Sequence, residues 1–406
     1  MPRTVTVVGG GLAGLTAAIA AAERGADVTL HEAHHDLGGR ARTAAAPYRT
    51  NEGPHAFLTR SPHWAWLNDR GLVGPVPPLR PGDVRGIRFH HHGALRRTPP
   101  LGLLRLLRFA PEKVPADADF LSWASWRIGE ETARATANLT AVVCFHHDPG
   151  ALSARFVQER LLRITGFPPE VRYPRGGWQT IVDRMAARAR NLGVRVETGS
   201  RIHSLTDLGA GTRTGPVIVA TSLAAARGIL DDPSLTWPSG RTLLIDLAVR
   251  EDPRDALALS DLDVPGYFER FTAQDPTLAP TGEHLVQAQV PLAPGAPRDE
   301  ALAHGEVLLD LGLPDWRDRA THRRDALADG RTGAVDPPGT TWRDRPAVDR
   351  GGDVHLAGDQ VAAPGVLSAV ACAAALEAVS QALGRFRPVP GFRPPAPRSA
   401  VGSPAR

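Results

Sequence analysis

The pattern of apolar and polar positions at the start of the chain predicts two kinds of element, buried strands and a helix between them. Residues 5–8 form a short β-branched run, which is typical of a buried strand. Residues 15–24 are good helix formers, and Gly25 stands where a helix C-terminal cap is expected. Residues 27–31 predict a second strand. This order of elements indicates a βαβ unit with a parallel sheet.

Later segments carry further strands and one strongly amphipathic helix. Residues 216–221 predict a buried strand, and residues 179–192 predict a helix that stops at Gly193. Residues 194–205 predict a strand, a turn and a second strand. These segments extend the parallel α/β unit well beyond its first forty residues.

Residues 242–249 and 283–290 alternate apolar and polar positions, which predicts a sheet with one face toward a cavity. Gln287 and Gln289 share a face of this predicted sheet because side chains alternate along a strand. We therefore treat them as candidate substrate contacts. The alternative is that both are solvated polar positions.

Composition narrows the class of protein. A chain of 406 residues with 42% hydrophobic and 22% charged residues is typical of a globular protein with two domains or one large split domain. No apolar run is long enough for a membrane span, and the N-terminus lacks a signal-peptide pattern, so we expect a cytoplasmic protein. The net charge of +4 comes from arginines interleaved with acids, which argues against nucleic-acid binding.

Neither the cysteines nor the histidines predict a metal site. Cys144 and Cys372 have no metal-ligand spacing and lie in apolar stretches, so we expect buried thiols. The histidines at 90–92 and 146–147 are neighbours in sequence, and neighbours on a strand or helix point to different sides. We therefore expect surface histidines and no metal ion.

The turn after the first strand carries the candidate chemistry. Gly9, Gly11 and Gly14 form G-x-G-x-x-G, in which the first glycine allows the tight turn and the second lets a pyrophosphate approach. The third lets the helix pack closely on the strand, and the helix N-terminus offers free N–H groups to phosphates. Glu32 ends the second strand, where a carboxylate can accept both ribose hydroxyls of an adenosine. The pattern predicts an adenine dinucleotide site; an ordinary turn in a structural βαβ unit is the alternative.

The motifs that follow resemble those of one flavoprotein superfamily. Residues 32–40 read E-A-x(4)-G-G-R, and this segment resembles the extended dinucleotide signature of amine oxidases, protoporphyrinogen oxidases and phytoene desaturases. Residues 173–178 are similar to the Y-P-x-G-G-x motif of desaturase-type members. Residues 354–367, with Gly358 and Asp359, resemble the C-terminal flavin motif of the superfamily. The resemblance spans nearly the whole chain.

The resemblance implies a role for particular residues around FAD. Arg40 would lie beside the diphosphate or ribityl chain, Asp359 would accept a ribityl hydroxyl, and Ile202 would hold the adenine edge through its backbone. Gly365 and Val366 would open a helix that faces the pyrimidine end of the flavin. The cofactor-binding set is Gly9, Gly11, Leu12, Ala13, Gly14, Glu32, Ala33, Gly39, Arg40, Gly53, Pro54, His55, Ile202, Gly358, Asp359, Gly365 and Val366.

The catalytic residues are less well defined by the motifs. His55 would lie near the isoalloxazine ring, either for proton transfer or, as we favour, for structural positioning. Gln287 and Gln289 are the other candidates. Many amine oxidases place a lysine near the flavin, but Lys113 is the only lysine here and lies in a predicted helical insertion. That departure counts against amine-oxidase chemistry.

The fold implied by the resemblance is an α/β, Rossmann-like FAD-binding domain of the glutathione-reductase type, split in sequence, with an inserted α+β substrate domain. We expect the FAD-binding domain at 1–60, 175–230 and 345–385, and the substrate domain at 61–174 and 231–344. A Pro-rich tail follows at 386–406. Residues 101–109 are apolar with basic punctuation, which favours a core-facing amphipathic helix over a peripheral membrane contact.

The function implied by the resemblance is FAD-dependent oxidation with a non-covalently bound cofactor, since neither cysteine lies at an attachment motif. A C–H bond of an apolar or conjugated small molecule would give a hydride to flavin N5, in carotenoid-like or tetrapyrrole-like chemistry of secondary metabolism. A flavin-dependent isomerase or cyclase without net oxidation, an amine oxidase, and a partner protein that holds FAD only for structure remain alternatives.

Overall fold

The computed structural model of the protein describes residues 3–53, 56–76, 81–166, 169–209 and 215–384. Pro54, His55 and the predicted tail at 386–406 lie outside the described residues. The strands of the described residues are β1 (Thr4–Val8), β2 (Asp27–His31), β3 (Phe57–Leu58), β4 (Ile87–His91), β5 (Ala94–Arg96), β6 (Val171–Arg172), β7 (Arg195–Glu197), β8 (Val217–Val219), β9 (Ser239–Arg250), β10 (Ala258–Asp261), β11 (Gly266–Arg270), β12 (Glu283–Pro291), β13 (Ala320–Ala334) and β14 (Val354–Leu356).

The α-helices of the same residues are α1 (Leu12–Ala22), α2 (Pro62–Asp69), α3 (Pro81–Val84), α4 (Phe120–Ile128), α5 (Glu130–Leu139), α6 (Ala141–Cys144), α7 (Ala154–Thr165), α8 (Gln179–Asn191), α9 (Leu223–Leu230), α10 (Arg298–Gly312), α11 (Trp316–Arg319) and α12 (Ser368–Leu383). None of these helices is long and apolar enough to cross a membrane.

A five-stranded parallel sheet gathers strands from three separate parts of the chain. Its order is β14-β8-β1-β2-β7, so β1 lies at the centre with β2 on one side and β8 on the other. α1 packs against both α8 and α12. Val7, Leu15 and Ile19 are fully buried in the core between this sheet and its helices. The prediction of a split, Rossmann-like α/β fold is confirmed.

A second, seven-stranded sheet has the order β13-β9-β12-β11-β10-β4-β5 and is antiparallel except for the β10–β4 pair. One face is apolar and packs on α10, where Ile245, Phe268 and Leu308 are fully buried. On the opposite face, Gln287 lies beside Asp246 in the register of β12 and β9. This sheet therefore buries polar side chains on the face that α10 does not cover.

The segment that follows β7 differs from its prediction. Only one strand forms there, and the predicted second strand is replaced by a loop and a 3₁₀ helix at Leu205–Leu208. The Ser204 hydroxyl accepts the N–H of Thr206, and the Asp207 carboxylate accepts those of His203 and Ser204. These side chains accept the local backbone N–H groups, so the backbone of this segment does not have to pair with a neighbouring strand.

Residues 101–109 contain a 3₁₀ helix at Leu101–Arg105 in place of a longer amphipathic helix. Leu103 and Leu106 are buried, whereas Leu101 and Leu104 are exposed. The segment thus faces the core on one side, as the favoured alternative predicts, and the less favoured alternative of a membrane contact through its other side is not tested. Cys144 and Cys372 are buried free thiols, as predicted.

Candidate functional site

Two glycines of the turn between β1 and α1, Gly9 and Gly14, have no room for a side chain. Gly9 has a φ of +106°, and a Cβ atom there would lie 2.5 Å from the Ala220 carbonyl oxygen. A Cβ atom on Gly14 would lie 1.8 Å from the carbonyl oxygen of Gly9. The third glycine of the motif therefore allows α1 to sit directly against the turn, as the sequence pattern predicts.

The N-terminus of α1 keeps its backbone amides available. Gly11 is the N-cap, it provides no side-chain cap, and the first turn contains no acidic residue. The second glycine motif lies against this turn: the Gly38 N–H donates to the Gly10 carbonyl at 2.8 Å, and Gly11 pairs with Gly38. The two motifs therefore form one backbone surface at a helix N-terminus, which is a suitable site for a phosphate group.

Glu32 is buried at the end of β2 and reaches back to the same turn. Its carboxylate accepts the N–H of Gly10 at 2.7 Å and the N–H of His34 at 2.9 Å, and it also contacts His34 Nδ1 at 2.8 Å. Burial alone would raise the pKa of Glu32, but these hydrogen bonds outweigh it and lower that pKa. An ionised acceptor is therefore fixed where the sequence predicts the ribose.

Arg40 and Asp359 connect the beginning of the chain to its other end. The Arg40 guanidinium donates from Nη2 to Asp359 Oδ1 at 2.8 Å and from Nη1 to the Arg331 carbonyl at 2.6 Å. Arg40 of the G-G-R motif and Asp359 of the C-terminal motif are separated by 319 positions, yet they form one ion pair. The structure thus brings Arg40 beside Asp359, and this pair extends the site from the α1 turn toward α12.

The chain before α12 has an unusual backbone. Gly365 has a φ of +124° and Leu367, which precedes Ser368, has a φ of +56°, a conformation that is rare outside glycine. His63 Nδ1 lies 2.9 Å from the Ser368 hydroxyl. Burial lowers the pKa of His63 to about 3, so its imidazole is neutral. The sequence gives no sign of His63 as a site residue, because its partner Ser368 lies 305 positions away.

The residues present fit FAD as an extended cofactor. The features that such a cofactor needs are a close-packed glycine turn, an uncapped helix N-terminus, a buried ionised glutamate and the Arg40–Asp359 pair, and all four are present. Ile202 lies in the loop after β7 and packs on the core of the parallel sheet. Ala33 follows Glu32, and Gly53 is half-buried. Of the predicted cofactor residues, Pro54 and His55 lie outside the described part of the chain.

The polar face of the seven-stranded sheet meets the segment that precedes Gly53. Asp246 is fully buried and accepts hydrogen bonds from Gln287 Nε2 at 2.7 Å and from Arg324 Nε at 2.8 Å. Gln287 Nε2 and Arg324 Nη2 also approach the Asn51 carbonyl at 3.3 and 3.2 Å. A narrow cleft beside this contact is lined by Arg40, Glu52, Leu244, Ala326, Leu327, Ala328 and Arg331.

Gln287 and Gln289 are 1% and 2% exposed, so the alternative that they are solvated is wrong. They share a face as predicted, and Gln289 Nε2 lies 3.3 Å from Gln287 Oε1. Gln289 Oε1 is buried without a hydrogen-bond partner among the described residues. An open acceptor therefore belongs to this polar face, and a donor on a bound molecule could satisfy it.

Three further polar residues lie on or beside this face. The hydroxyls of Tyr173 and Tyr267 each donate to the Glu269 carboxylate at 2.5 Å. Burial raises the pKa of Glu269, while the two tyrosine hydrogen bonds lower it by less. Tyr267 and Glu269 pair in register with Gln289 and Gln287. The sequence analysis missed them because only the pairing of β11 with β12 reveals the shared face.

We predict a pH signature for Asp246. Burial raises the pKa of its carboxyl to about 6, because the folded state favours the protonated form. The stabilisation that results is present at low pH and is lost as the pH rises through about 6. The free energy of unfolding of the wild type minus that of Asp246→Asn should fall by about 1–2 kcal/mol between pH 5 and pH 8. Urea unfolding of both proteins at several pH values measures the difference. A difference that does not change with pH would contradict the prediction.

Comparisons with known proteins agree with the geometry. Residues 7–70 match the model of the NAD(P)-binding Rossmann-like domain. The chain is 27% identical over 289 residues to a Mycobacterium tuberculosis protein that carries the provisional name flavin-containing monoamine oxidase AofH, covering 58% of this chain and 63% of that protein. It is 35% identical over 122 residues to carotenoid phi-ring synthase of Streptomyces griseus, covering 26% and 23%. The chain thus spans less than two thirds of these curated relatives.

Among solved structures, cyclohexylamine oxidase from Brevibacterium oxydans has the same fold. The TM-score is 0.70 at 18% sequence identity, and the alignment covers 94% of this chain and 98% of the oxidase. The split parallel sheet and the mixed sheet of this chain are therefore a fold that it shares with amine oxidases. At this identity the likeness concerns the fold alone.

Proposed function

We propose that this chain, which belongs to the superfamily of FAD-dependent amine oxidases, protoporphyrinogen oxidases and carotenoid desaturases, is an FAD-dependent oxidoreductase of a small molecule. The observation that carries the proposal is the Arg40–Asp359 pair, which joins the two motifs at opposite ends of the chain at 2.8 Å. A nicotinamide cofactor held by the first βαβ unit alone would not explain why these two motifs meet. One extended cofactor that runs from Glu32 to α12 would explain it.

The chain's own residues would hold the cofactor as follows. The Glu32 carboxylate would accept the ribose hydroxyls, and the backbone amides at the start of α1 would donate to the pyrophosphate. Asp359 would accept a ribityl hydroxyl while Arg40 neutralises its charge. The N-terminus of α12 would direct its positive dipole end at the pyrimidine edge. No covalent link is proposed, because neither Cys144 nor Cys372 lies at an attachment motif.

When bound, FAD supplies a hydride acceptor at N5. The task of the chain is to hold a substrate C–H bond against it and to exclude water. The proposed substrate has the apolar or conjugated carbon skeleton that the resemblance implies. The buried polar face around Gln287, Gln289 and Asp246 supports one further feature, a hydrogen-bonding group on that skeleton. Such a group would orient the substrate and satisfy the free oxygen of Gln289.

Amine oxidation is the second candidate, and the buried carboxyl groups favour it. Asp246 and Glu269 both lie on the polar face, where a carboxylate could pair with an ammonium group of a substrate. The provisional name of the mycobacterial relative points the same way. One observation counts against amine oxidation. The only lysine, Lys113, ends an exposed 3₁₀ helix at Pro111–Lys113, so the lysine that many amine oxidases place near the flavin has no counterpart in this chain.

Purification tests the cofactor directly. We expect a yellow protein that releases one FAD per chain on denaturation, because the predicted contacts are all non-covalent. The released cofactor is identified by chromatography and by its absorbance spectrum. A colourless protein that binds NAD tightly would overturn the proposal.

An anaerobic substrate panel separates the candidate reactions. The panel contains a polyene, a porphyrinogen and a primary amine, and stoichiometric bleaching of the flavin identifies the class that is oxidised. A product at the oxidation state of its substrate would instead favour an isomerase or cyclase. Photoreduction of the flavin without turnover of any compound would favour a protein that holds FAD for structure.

A further inference from the structure

A cluster of histidines and carboxylates lies at the edge of the seven-stranded sheet, on the face that packs against α10. His90 on β4 and Asp261 on β10 are register partners in the parallel β4–β10 pair, so their side chains share this face. Asp263 follows in the turn after β10, and His304 approaches from α10. Four residues with metal-ligating side chains therefore converge from three segments of the chain.

The ligand atoms of His90, Asp261 and Asp263 all lie within 4.8 Å of one another, and His304 approaches Asp261 from outside this group. His90 Nδ1 lies 3.1 Å from Asp261 Oδ1 and 3.8 Å from Asp263 Oδ2. His304 Nε2 lies 3.8 Å from Asp261 Oδ2. Ligands about 2.0 Å from a tetrahedral zinc ion lie about 3.3 Å from one another, so small movements bring His90, Asp261 and Asp263 onto one ion. His304 must turn toward these three residues to join them as the fourth ligand.

The imidazole nitrogens are not otherwise used. His90 Nδ1 and His304 Nε2 are buried, and neither has a partner at hydrogen-bond geometry among the described residues. Burial of two nitrogens beside one carboxylate without hydrogen bonds lowers the stability of the fold, unless a further group lies between them. A divalent cation supplies that group, and it balances the charges of the two aspartates.

The backbone around the cluster makes room for this arrangement. A Cβ atom on Gly266 would lie 2.6 Å from His304 Nε2, so the imidazole of His304 occupies space that only glycine leaves free. The carboxylate of Asp261 is held by the N–H groups of Asp263 at 2.9 Å and Val264 at 3.2 Å. His91 Nδ1 lies 3.0 Å from Asp263 Oδ1, as an outer partner of a ligating carboxylate does.

We propose that His90, Asp261, Asp263 and His304 bind a divalent transition-metal ion that ties β4, β10 and α10 together. The side chain of Asp261 is 3% exposed and that of Asp263 is 31% exposed, so the site is buried on one side and open to solvent on the other. Mixed imidazole and carboxylate ligands suit zinc and its neighbours in the first transition series. The site lies outside the proposed cofactor site, so its role is to stabilise the seven-stranded sheet.

The expectation that the histidines at 90–92 lie on the surface holds for His92 alone, and the proposal departs from the expectation that they bind no metal. His91 is buried, and the ligand partners of His90 come from other strands and a helix. A second group, His91, His92 and Glu131, also brings three potential ligand atoms close together. Its members are more exposed, since the side chains of His92 and Glu131 are 55% and 71% accessible. We therefore assign the ion to the buried group.

Zinc titration of the chelator-treated, FAD-loaded protein tests the proposal. We expect one Zn²⁺ per chain by calorimetry and a melting temperature that rises with zinc concentration, because binding to the folded state stabilises it. Asp261→Asn and His304→Gln should each weaken zinc binding at least tenfold, the loss that even an outer partner of a metal site causes. Co²⁺ in place of zinc should give a visible ligand-field spectrum that His304→Gln abolishes.

Glu131→Gln is the matched control, because it removes a ligand of the second group and leaves the proposed one intact. Its zinc affinity should equal that of the wild type. If Glu131→Gln abolishes binding while His304→Gln does not, or if no stoichiometric zinc binds, the assignment is wrong. The flavin spectrum of each variant reports its folding, and His304→Gln keeps the test decisive where Asp261→Asn does not fold.

Discussion

Replacement of Gly14 by alanine should yield a protein without bound FAD and with a much lower free energy of unfolding. The new Cβ atom would lie 1.8 Å from the Gly9 carbonyl oxygen, and that oxygen belongs to a backbone fixed by a Gly9 N–H hydrogen bond to His31. Neither side of the contact is a flexible side chain, so α1 must move away from the turn. We expect a destabilisation of at least about 3 kcal/mol, the upper part of the range for overpacking.

The measurements are the ratio of flavin to protein after purification and the free energy of unfolding in urea. Gly228→Ala is the matched control, since Gly228 lies inside α9 and a Cβ atom there meets open space. That variant should keep its FAD and gain about 0.5–1 kcal/mol from the higher helix propensity of alanine. A Gly14→Ala protein with the flavin content of the wild type would show that the turn tolerates a shift of α1.

The glycine turn was predictable because its chemistry is local in the sequence. Gly9, Gly14 and Glu32 lie within one βαβ unit, where the order of elements fixes which end of the strands they share. The Arg40–Asp359 junction is not local in this way. Its two motifs could be placed together only through the resemblance to flavoproteins, which implies one cofactor that touches both.

The polar face of the larger sheet shows where sequence reasoning stops. The alternation in β12 predicted that Gln287 and Gln289 share a face, since a strand has a period of two. The alternation gave no information about Arg324, which follows Asp246 by 78 positions in the sequence. Arg324 reaches Asp246 only because β13 pairs with β9 in the register that sets these two residues opposite each other. A shift of one residue in that register would turn Arg324 to the opposite face, so its role depends on long-range pairing.

The same reason explains the histidines. Neighbouring positions on β4 do point to opposite sides, as the sequence analysis assumed. What it could not supply was Asp261, which the parallel β4–β10 pair sets beside His90, or His304 from α10. Metal-ligand spacing within one segment is readable from a sequence, whereas a cluster built from three segments requires the fold.

Replacement of Glu32 by alanine should weaken FAD binding by several orders of magnitude. The carboxylate would lose two charge-assisted hydrogen bonds to ribose hydroxyls, each worth roughly 1.5–3 kcal/mol. The sum of about 3–6 kcal/mol corresponds to a roughly 10²- to 10⁴-fold increase in Kd. Reconstitution of the flavin-free protein with FAD, followed by calorimetry, measures this constant.

Two controls separate a lost ribose contact from a damaged turn, because Glu32 also accepts the N–H groups of Gly10 and His34. His34→Ala removes the side chain that contacts the carboxylate and should change the Kd for FAD by less than tenfold. Glu32→Gln keeps one oxygen for Gly10 and loses the charge, so its Kd should lie between those of Glu32→Ala and the wild type.

If Glu32→Ala binds FAD as the wild type does, the adenosine lies elsewhere. If Glu32→Gln and Glu32→Ala are equally impaired, the negative charge itself, rather than the shape of the turn, governs how the ribose is held.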